Sequence, residues 1–405
     1  MRSNWDVVIA GAGPAGLSAA FTAASDGASV LLIEQNSEIG SPTRTSGGSF
    51  VRELADLGIP RSLYHPLTGI RFVSPHSSAA FHYADPVMCV MDVRGVYQHL
   101  ATLAAGAGAT IWLASKVLDV LRDGAHVTGV RIETRAKSQV EVSAGVVIDA
   151  TGYKGRLLLQ AGLSPRIRRF GVGAEFDMFA PECDENEAVL VVGSQFAPSG
   201  YGWVFPWGAH RVRVGVGVIH PDHSGDPLAL LDSFVAGAKK LGVNLTGAQP
   251  IEYHFGLIPS EMAESFVGDG ILAVGDAAGH ASTLVGEGIR WAIKAGRMAG
   301  SIAASATQHG DVSASFLCKF QSEWLRQHGR NLRIANMVNR KISKWDDRKW
   351  DERTELLGML SPQEFATALQ SDFSVGWALG VAWAHPRLVK AGFEKILRGV
   401  SPGPA

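Results

Sequence analysis

Three glycines at fixed spacing carry the first chemical signal. Gly11, Gly13 and Gly16 stand G-x-G-x-x-G apart in the run Gly11-Ala12-Gly13-Pro14-Ala15-Gly16, and an acid, Glu34, follows. In this pattern the first glycine makes a tight turn. The second lets the backbone approach a pyrophosphate, and the third lets a helix pack close on a strand. The helix N-terminus offers unpaired N–H groups to phosphates, and Glu34 can accept hydrogen bonds from ribose hydroxyls. The chemistry these residues suit is dinucleotide binding. A second group lies far along the chain, at Gly275-Asp276-Ala277-Ala278-Gly279. Asp276, at the end of an apolar run, can bind a sugar-like hydroxyl. Gly286, Gly288 and Ile289 then open a helix whose N–H groups and positive dipole end would stabilise negative charge. A third signal is Ala150-Thr151-Gly152, small residues that permit close approach to a ligand; Asp149 before them could instead simply cap the turn.

The elements that must position these residues follow from the apolar pattern. Asp6 to Ala10 is a short buried strand, Leu17 to Ala24 a helix, and Val30 to Ile33 a second strand, which together make a βαβ unit. Ile39 to Ser49 is a polar, glycine-rich loop in which Arg44 is a candidate for the cofactor phosphates. Asp92 is a plausible N-cap for a helix to about Ala105. Arg94 falls in its first turn, where the dipole disfavours a cation, so a bound anion is expected beside it. Residues 68–90, 111–133 and 170–220 read as strands. Within the last stretch, period two puts Tyr201, Trp203 and Phe205 on one face, and Pro206 is expected to end the strand. An aromatic face of this kind is core or a substrate wall.

Composition narrows the function classes. The chain has 405 residues, is 46% hydrophobic and carries a formal net charge of −1, which gives no electrostatic case for nucleic acid. It shows no signal-peptide pattern and no apolar run of spanning length, which predicts a cytoplasmic protein. Cys89, Cys183 and Cys318 lack metal-ligand spacing and read as reduced thiols; His76 and His82 have no ligand partners at spacing, so no metal site is expected. Ala292 to Gln308 and Ser315 to Ile342 read as helices. Lys341 to Arg353 reads as a solvated charged face. Phe373 to Leu397 is apolar; packing on the core is the default, with cover over a lipid tunnel or a membrane contact as alternatives. The expected fold is α/β: a Rossmann-like domain from 1–65, 92–165 and 268–310, an inserted antiparallel substrate domain from 66–91 and 166–267, and a helical region over 311–405.

Taken together, Gly11 to Gly16 with Glu34, Ala150-Thr151-Gly152 and Gly275-Asp276 resemble the FAD-binding set of the para-hydroxybenzoate hydroxylase-like flavoproteins. Within that group the chain is similar to the geranylgeranyl reductase family. Glu38-Ile39-Gly40-Ser41-Pro42 with Arg44, the strand Tyr201-x-Trp203-x-Phe205-Pro206, and Gly275 to Gly279 followed by Gly286-Glu287-Gly288-Ile289 carry this closer likeness. The resemblance implies FAD held by Gly11, Ala12, Gly13, Pro14, Ala15, Gly16 and Glu34. It places Arg44 and Arg94 near the pyrophosphate and flavin, and the backbone of Val117 against the adenine. It puts Asp276 on the ribityl chain, Gly286, Gly288 and Ile289 behind the flavin, and Tyr201, Trp203 and Phe205 along an isoprenoid tunnel. The chain departs from the family pattern at Thr45-Ser46, where archaeal lipid reductases carry a cysteine, at Trp207, where a basic residue is usual, and near Ser282-Thr283, which replace a proline.

The expected activity is flavin-dependent reduction of C=C bonds in a prenyl chain. The alternatives are a flavin monooxygenase of a hydrophobic molecule and a redox-neutral flavoenzyme. The proton donor is open, with Tyr201 and His280 as the hydroxyl and imidazole to test. The expected partners are an isoprenoid-like substrate, an electron donor such as NADPH or a ferredoxin-like protein, and a peripheral membrane contact.

Overall fold

The computed structural model of the chain describes residues 3–163 and 167–385. The first strand, Asn4–Ala10, is the centre of an eight-stranded sheet. Its apolar residues face helices on one side and a second apolar layer on the other, which is why the run does not alternate. It pairs in parallel with Val30–Ile33 (Ile9 beside Leu32) and with Gln139–Asp149 (Ile9 beside Ile148). Ile271–Ala273 adds a further parallel strand next to Gln139–Asp149, and the hairpin of Lys116–Asp123 with His126–Glu133 pairs antiparallel to it. Helix Pro14–Ser25 lies on this sheet with Gly13 as its N-cap and Pro14 at its first position, where the missing N–H costs nothing. Helix Ile289–His309 packs on it almost backbone to backbone. A Cβ at Gly296 would stand 2.2 Å from the Ala15 carbonyl oxygen, and one at Gly300 would stand 2.4 Å from that of Ala19.

A seven-stranded sheet forms the second layer. In order across it run Gln249–Pro259, Phe170–Phe179, Arg211–His220, Ala197–Gly208, Glu187–Gly193, Gly69–Val73 and Ser78–His82. All neighbours are antiparallel except Glu187–Gly193 with Gly69–Val73, which are parallel. Gly48–Phe50, Met88–Met91 and Tyr64–Leu67 form a small third sheet between the two, so residues 66–91 are shared between sheets. Pro206 does not end its strand. The ladder to Glu187–Gly193 stops at Val204, so the proline sits where one flank has already lost its partner, and Ala197–Gly208 continues through it.

Helix Val93–Gly106 is capped by Asp92, whose side chain accepts from the Gly95 N–H. After Ile289–His309 come Ala314–Trp324, a π-turn at Leu325–Gly329, Arg330–Ile342, Asp347–Leu357, Pro362–Leu369 and Val375–Ala384. The charged run Lys341 to Arg353 is not simply a solvated face. Trp345 and Trp350 within it meet edge to face at 4.9 Å, and Trp350 reaches Phe72 of the second sheet at 6.1 Å. These two indoles pull the run against the sheet, where it roofs a cavity. The apolar segment from Phe373 is described to His385. Phe373, Ala378 and Val381 are buried, whereas Val375, Leu379 and Trp383 are exposed; its continuation to Leu397 lies outside the described residues.

Candidate active site

One cavity of about 1580 Å³ runs from the glycine-rich turn of the first sheet, across the second sheet, to the underside of the helical tail. That exceeds the roughly 300–1,000 Å³ of a single small-molecule pocket, so it has room for two ligands end to end.

At one end the turn after Asn4–Ala10 is built for a close approach. Gly11 has φ +105°, and a Cβ there would stand 2.3 Å from the Ala150 carbonyl oxygen. A Cβ at Gly16 would stand 2.0 Å from the Gly11 oxygen, whereas one at Gly13 would meet nothing within 4 Å. Gly13 therefore presents bare backbone to the cavity, while Gly16 lies beneath it and lets the helix close on the turn. Ala12, Pro14 and Ala15 line the cavity beside it. Glu34 is buried at the end of Val30–Ile33; its carboxylate accepts from the Ala12 N–H at 2.9 Å and the Asn36 N–H at 2.8 Å. Val117 lines the same end. Asp149 is fully buried and accepts from Thr151 N, Thr151 Oγ1 and Leu158 N at 3.0, 2.6 and 2.8 Å. It thus caps the small-residue turn, and Thr151 and Gly152 line the cavity.

The middle of the cavity is walled by Arg44, Gly275, Asp276, Gly286, Gly288 and Ile289. Gly288 is the N-cap of Ile289–His309, so the unpaired N–H groups of a 21-residue helix point here. Burial pushes the Asp276 carboxyl up to about 7. The hydroxyls of Ser199 and Thr283 are buried in the wall without a hydrogen-bond partner. Orphan polar atoms and a bare glycine turn beside the buried Glu34 carboxylate fit a bound dinucleotide.

The far end is aromatic. Tyr201, Trp203 and Phe205 share one face of their strand, with ring centroids 5.6 and 6.4 Å apart. Tyr201 and Trp203 line the large cavity; Phe205 lines a smaller adjoining pocket near Gly48. Trp203 lies over Gly215 of the next strand, where a Cβ would stand 2.2 Å from its ring. This lets its indole N–H cross that strand and donate to Glu175 at 2.6 Å. The Tyr201 hydroxyl donates to the Val285 carbonyl at 2.5 Å and so ties the aromatic strand to the loop before Gly286; burial raises its pKa. Trp207, in the usual place of a basic residue, is itself stacked by Arg211 and Arg213 at 5.0 and 4.7 Å.

Two expected site residues are elsewhere. Arg94 is half-exposed and pairs with Glu38, so the anion expected beside it is a side chain of the protein, and Arg94 does not line the cavity. His280 is fully buried among Phe266, Phe320 and Trp324, and neither ring nitrogen has a hydrogen-bond partner. Burial, with a lesser contribution from His328, pushes it down to about 3. It is a neutral core residue, sealed from the cavity, and cannot pass a proton into it.

Two polar residues that the sequence reading missed do line the cavity. Glu175 and His254 are both buried and pair at 2.9 Å, His254 Nδ1 to Glu175 Oε1. The only trace in the sequence is a pair of acids, Glu175 and Asp177, placed in an otherwise apolar strand, Phe170 to Phe179.

A family model described as FAD dependent oxidoreductase matches residues 6–180, and one described as geranylgeranyl reductase catalytic domain matches residues 171–257. The digeranylgeranylglycerophospholipid reductase 2 of Methanopyrus kandleri is 31% identical over 402 residues, covering 96% of this chain and 98% of that protein. A geranylgeranyl bacteriochlorophyll reductase-like protein from Thermoplasma acidophilum superposes with a TM-score of 0.86 at 26% identity, over 98% of this chain and 100% of that one. A flavin-dependent brominase shares the fold at 19% identity, with a TM-score of 0.69 over 96% of this chain and 99% of that one.

Proposed function

The chain belongs to the geranylgeranyl reductase family of FAD-dependent oxidoreductases, and from that premise we propose that its cavity holds FAD at the glycine turn and a prenyl lipid at the aromatic end. FAD is the cofactor, and reduction of prenyl C=C bonds is the activity. The observation that carries the reading is continuity: one cavity joins a dinucleotide cradle to an apolar, aromatic-walled chamber.

Reduced FAD supplies the hydride. The protein does the rest by position, because an isolated alkene is a poor electrophile and placement must supply much of the rate. Gly11, Ala12, Gly13, Pro14, Ala15 and Glu34 would hold the ADP half, with Gly16 setting the turn from below. Arg44 would meet the pyrophosphate and Asp276 the ribityl chain. Gly286, Gly288 and Ile289 would present helix N–H groups to the pyrimidine edge. Tyr201 and Trp203 would flank the lipid, with Phe205 supporting them. Tyr201, already donating to Val285, fixes the chamber against the flavin loop rather than giving up its proton. The electrons come from NADPH or a ferredoxin-like donor.

The lipid enters from a membrane surface in this reading. Val375, Leu379 and Trp383, spaced by four on one helix, are 57, 65 and 90% exposed, while Val375 and Leu379 also line the cavity. No helix among the described residues is long and apolar enough to cross a membrane, which fits a cytoplasmic protein in peripheral contact. The reading is tested by incubating the holoprotein with a geranylgeranyl lipid and a chemical reductant without oxygen. A product heavier by two hydrogens per reduced bond is expected. A product unchanged in mass, or one that gains oxygen when air enters, would replace it with redox-neutral or monooxygenase chemistry.

A further inference from the structure

The geometry points to a proton chain through the cavity wall, Glu252 to His254 to Glu175, with Glu175 the catalytic acid that completes alkene reduction; this rests on the prenyl-reductase reading. Two neighbouring strands build it. His254 on Gln249–Pro259 lies in register beside Glu175 on Phe170–Phe179. His254 Nδ1 meets Glu175 Oε1 at 2.9 Å, and its Nε2 meets Glu252 Oε2 at 3.0 Å. The Glu252 side chain is 58% exposed, whereas His254 and Glu175 are at 5 and 3%. Glu175 and His254 line the cavity. The three groups therefore span the wall from water to the chamber where Trp203 stands, and Trp203 Nε1–H fixes the second Glu175 oxygen at 2.6 Å.

A buried carboxylate and an exposed one sandwiching one imidazole favour the imidazolium. Burial alone would lower the His254 pKa, but its hydrogen bonds to Glu175 and Glu252 outweigh that and raise it. Arg213 opposes the charge on His254, but is itself held by Asp177 at 3.2 Å and by the Ser46 and Met91 carbonyls; Arg211 is likewise paired with Asp177. The resting wall thus stores a proton on His254. An apolar chain laid over the Glu175 carboxylate disfavours its charged form and draws that proton across. In the reaction the Glu175 O–H bond breaks and a C–H bond forms at one alkene carbon. The other carbon takes a hydride, with its electron pair, from the reduced cofactor, and the C=C π bond is consumed. Bound reduced FAD would be the two-electron donor in this balance. His254 then reprotonates Glu175, and water recharges His254 past Glu252.

Two measurements test this on the holoprotein. The first is a histidine NMR titration, with His254→Gln to assign the resonance. An imidazole titrating above the ordinary range, and falling in Glu175→Gln and Glu252→Gln, is expected; a His254 that titrates normally overturns the chain. The second is anaerobic single-turnover reoxidation of the reduced flavin by a prenyl lipid, read with its solvent isotope effect and pH profile. Glu175→Gln keeps the size of the side chain and an acceptor for Trp203. It should react about 10²–10⁴-fold more slowly, the usual worth of a general acid, with flavin content and lipid affinity unchanged. Glu175→Asp should recover part of the loss. The wild-type rate should fall as pH rises through the raised His254 value, and His254→Gln should lose that limb. Glu175→Gln reacting within threefold of wild type, with the same isotope effect, overturns the assignment. Wild-type protein whose flavin stays reduced with every prenyl lipid overturns the substrate reading instead, and the titration still decides the proton store.

Discussion

The contact between Trp203 and Gly215 gives a sharp prediction, because it fixes both the shape of the chamber and the position of Glu175. In Gly215→Ala the new methyl carbon would lie 2.2, 2.3 and 2.7 Å from three atoms of the indole. The Gly215 backbone is not in the left-handed region, since its φ is not among the positive values, so the effect is steric contact alone. The ring has to lift off the strand, and two costs follow. Overpacking a filled site costs about 1–3 kcal/mol, and losing a hydrogen bond to a charged acceptor about 1.5–3 kcal/mol. Together these predict a loss of about 2.5–6 kcal/mol. Gly217→Ala is the control two residues on. Its methyl would meet the same ring at 3.4 Å, an ordinary contact, and should cost within about 1 kcal/mol. Thermal unfolding of the two holoproteins reads the difference. At about 2–4 °C per kcal/mol for a unit of 150–250 residues, Gly215→Ala should melt at least about 5 °C below wild type. The same substitution in a Trp203→Leu background should cost much less, because the clash is gone. Equal melting points for the two alanine variants, or an undiminished cost without the indole, would refute the packing argument.

Four further outcomes are expected. His280→Leu should leave turnover within about threefold of wild type and stability unchanged or higher, since it removes unpaired buried nitrogens; a large kinetic loss would restore His280 as a proton donor. Asp149→Ala strands three donors that now share one carboxylate and should cost about 3 kcal/mol or more, with flavin lost on gel filtration; Asp149→Asn should be milder. For Asp276 the folded pKa, about 7, lies above the ordinary 3.8. The folded flavin-free protein therefore holds more protons than the unfolded chain between these values, and stability falls as pH rises from about 4 to about 7. Asp276→Asn should flatten that slope and be the more stable protein at pH of about 8, as urea unfolding across pH would read. Changing Val375, Leu379 and Trp383 together to Ser should reduce co-sedimentation with lipid vesicles while leaving flavin content unchanged; retention on vesicles equal to wild type would count against the membrane contact.

Much of the cofactor end was legible because its signals are local. Gly11 and Gly16 are needed within a few residues of each other, Asp92 caps the helix that follows it, and Gly288 opens the helix that begins at Ile289. The sequence misled where only the third dimension decides. His280 follows Gly-Asp-Ala-Ala-Gly and sits next to the chemistry in the chain, yet the short 3₁₀ turn Gly275–Ala277 carries Asp276 to the cavity and leaves His280 in the core. Arg94 pointed to a bound anion, but its partner is the Glu38 side chain, more than 50 residues away in sequence. Glu175 and His254 are 79 residues apart, and strand register alone brings them together. Trp203 reaches Glu175 only because the strand between them carries glycine at the crossing. The run from Lys341 to Arg353 looked solvated because its charges outnumber its two tryptophans, although those tryptophans decide where it packs.

The most direct test of the central claim is stoichiometric. The FAD of the holoprotein is reduced to completion without oxygen, mixed with one equivalent of a geranylgeranyl lipid, and followed by flavin absorbance while the lipid is extracted and weighed by mass spectrometry. The account predicts one flavin reoxidised for each C=C bond that gains two hydrogens. Flavin that stays reduced until oxygen is admitted, beside lipid of unchanged mass, would contradict it.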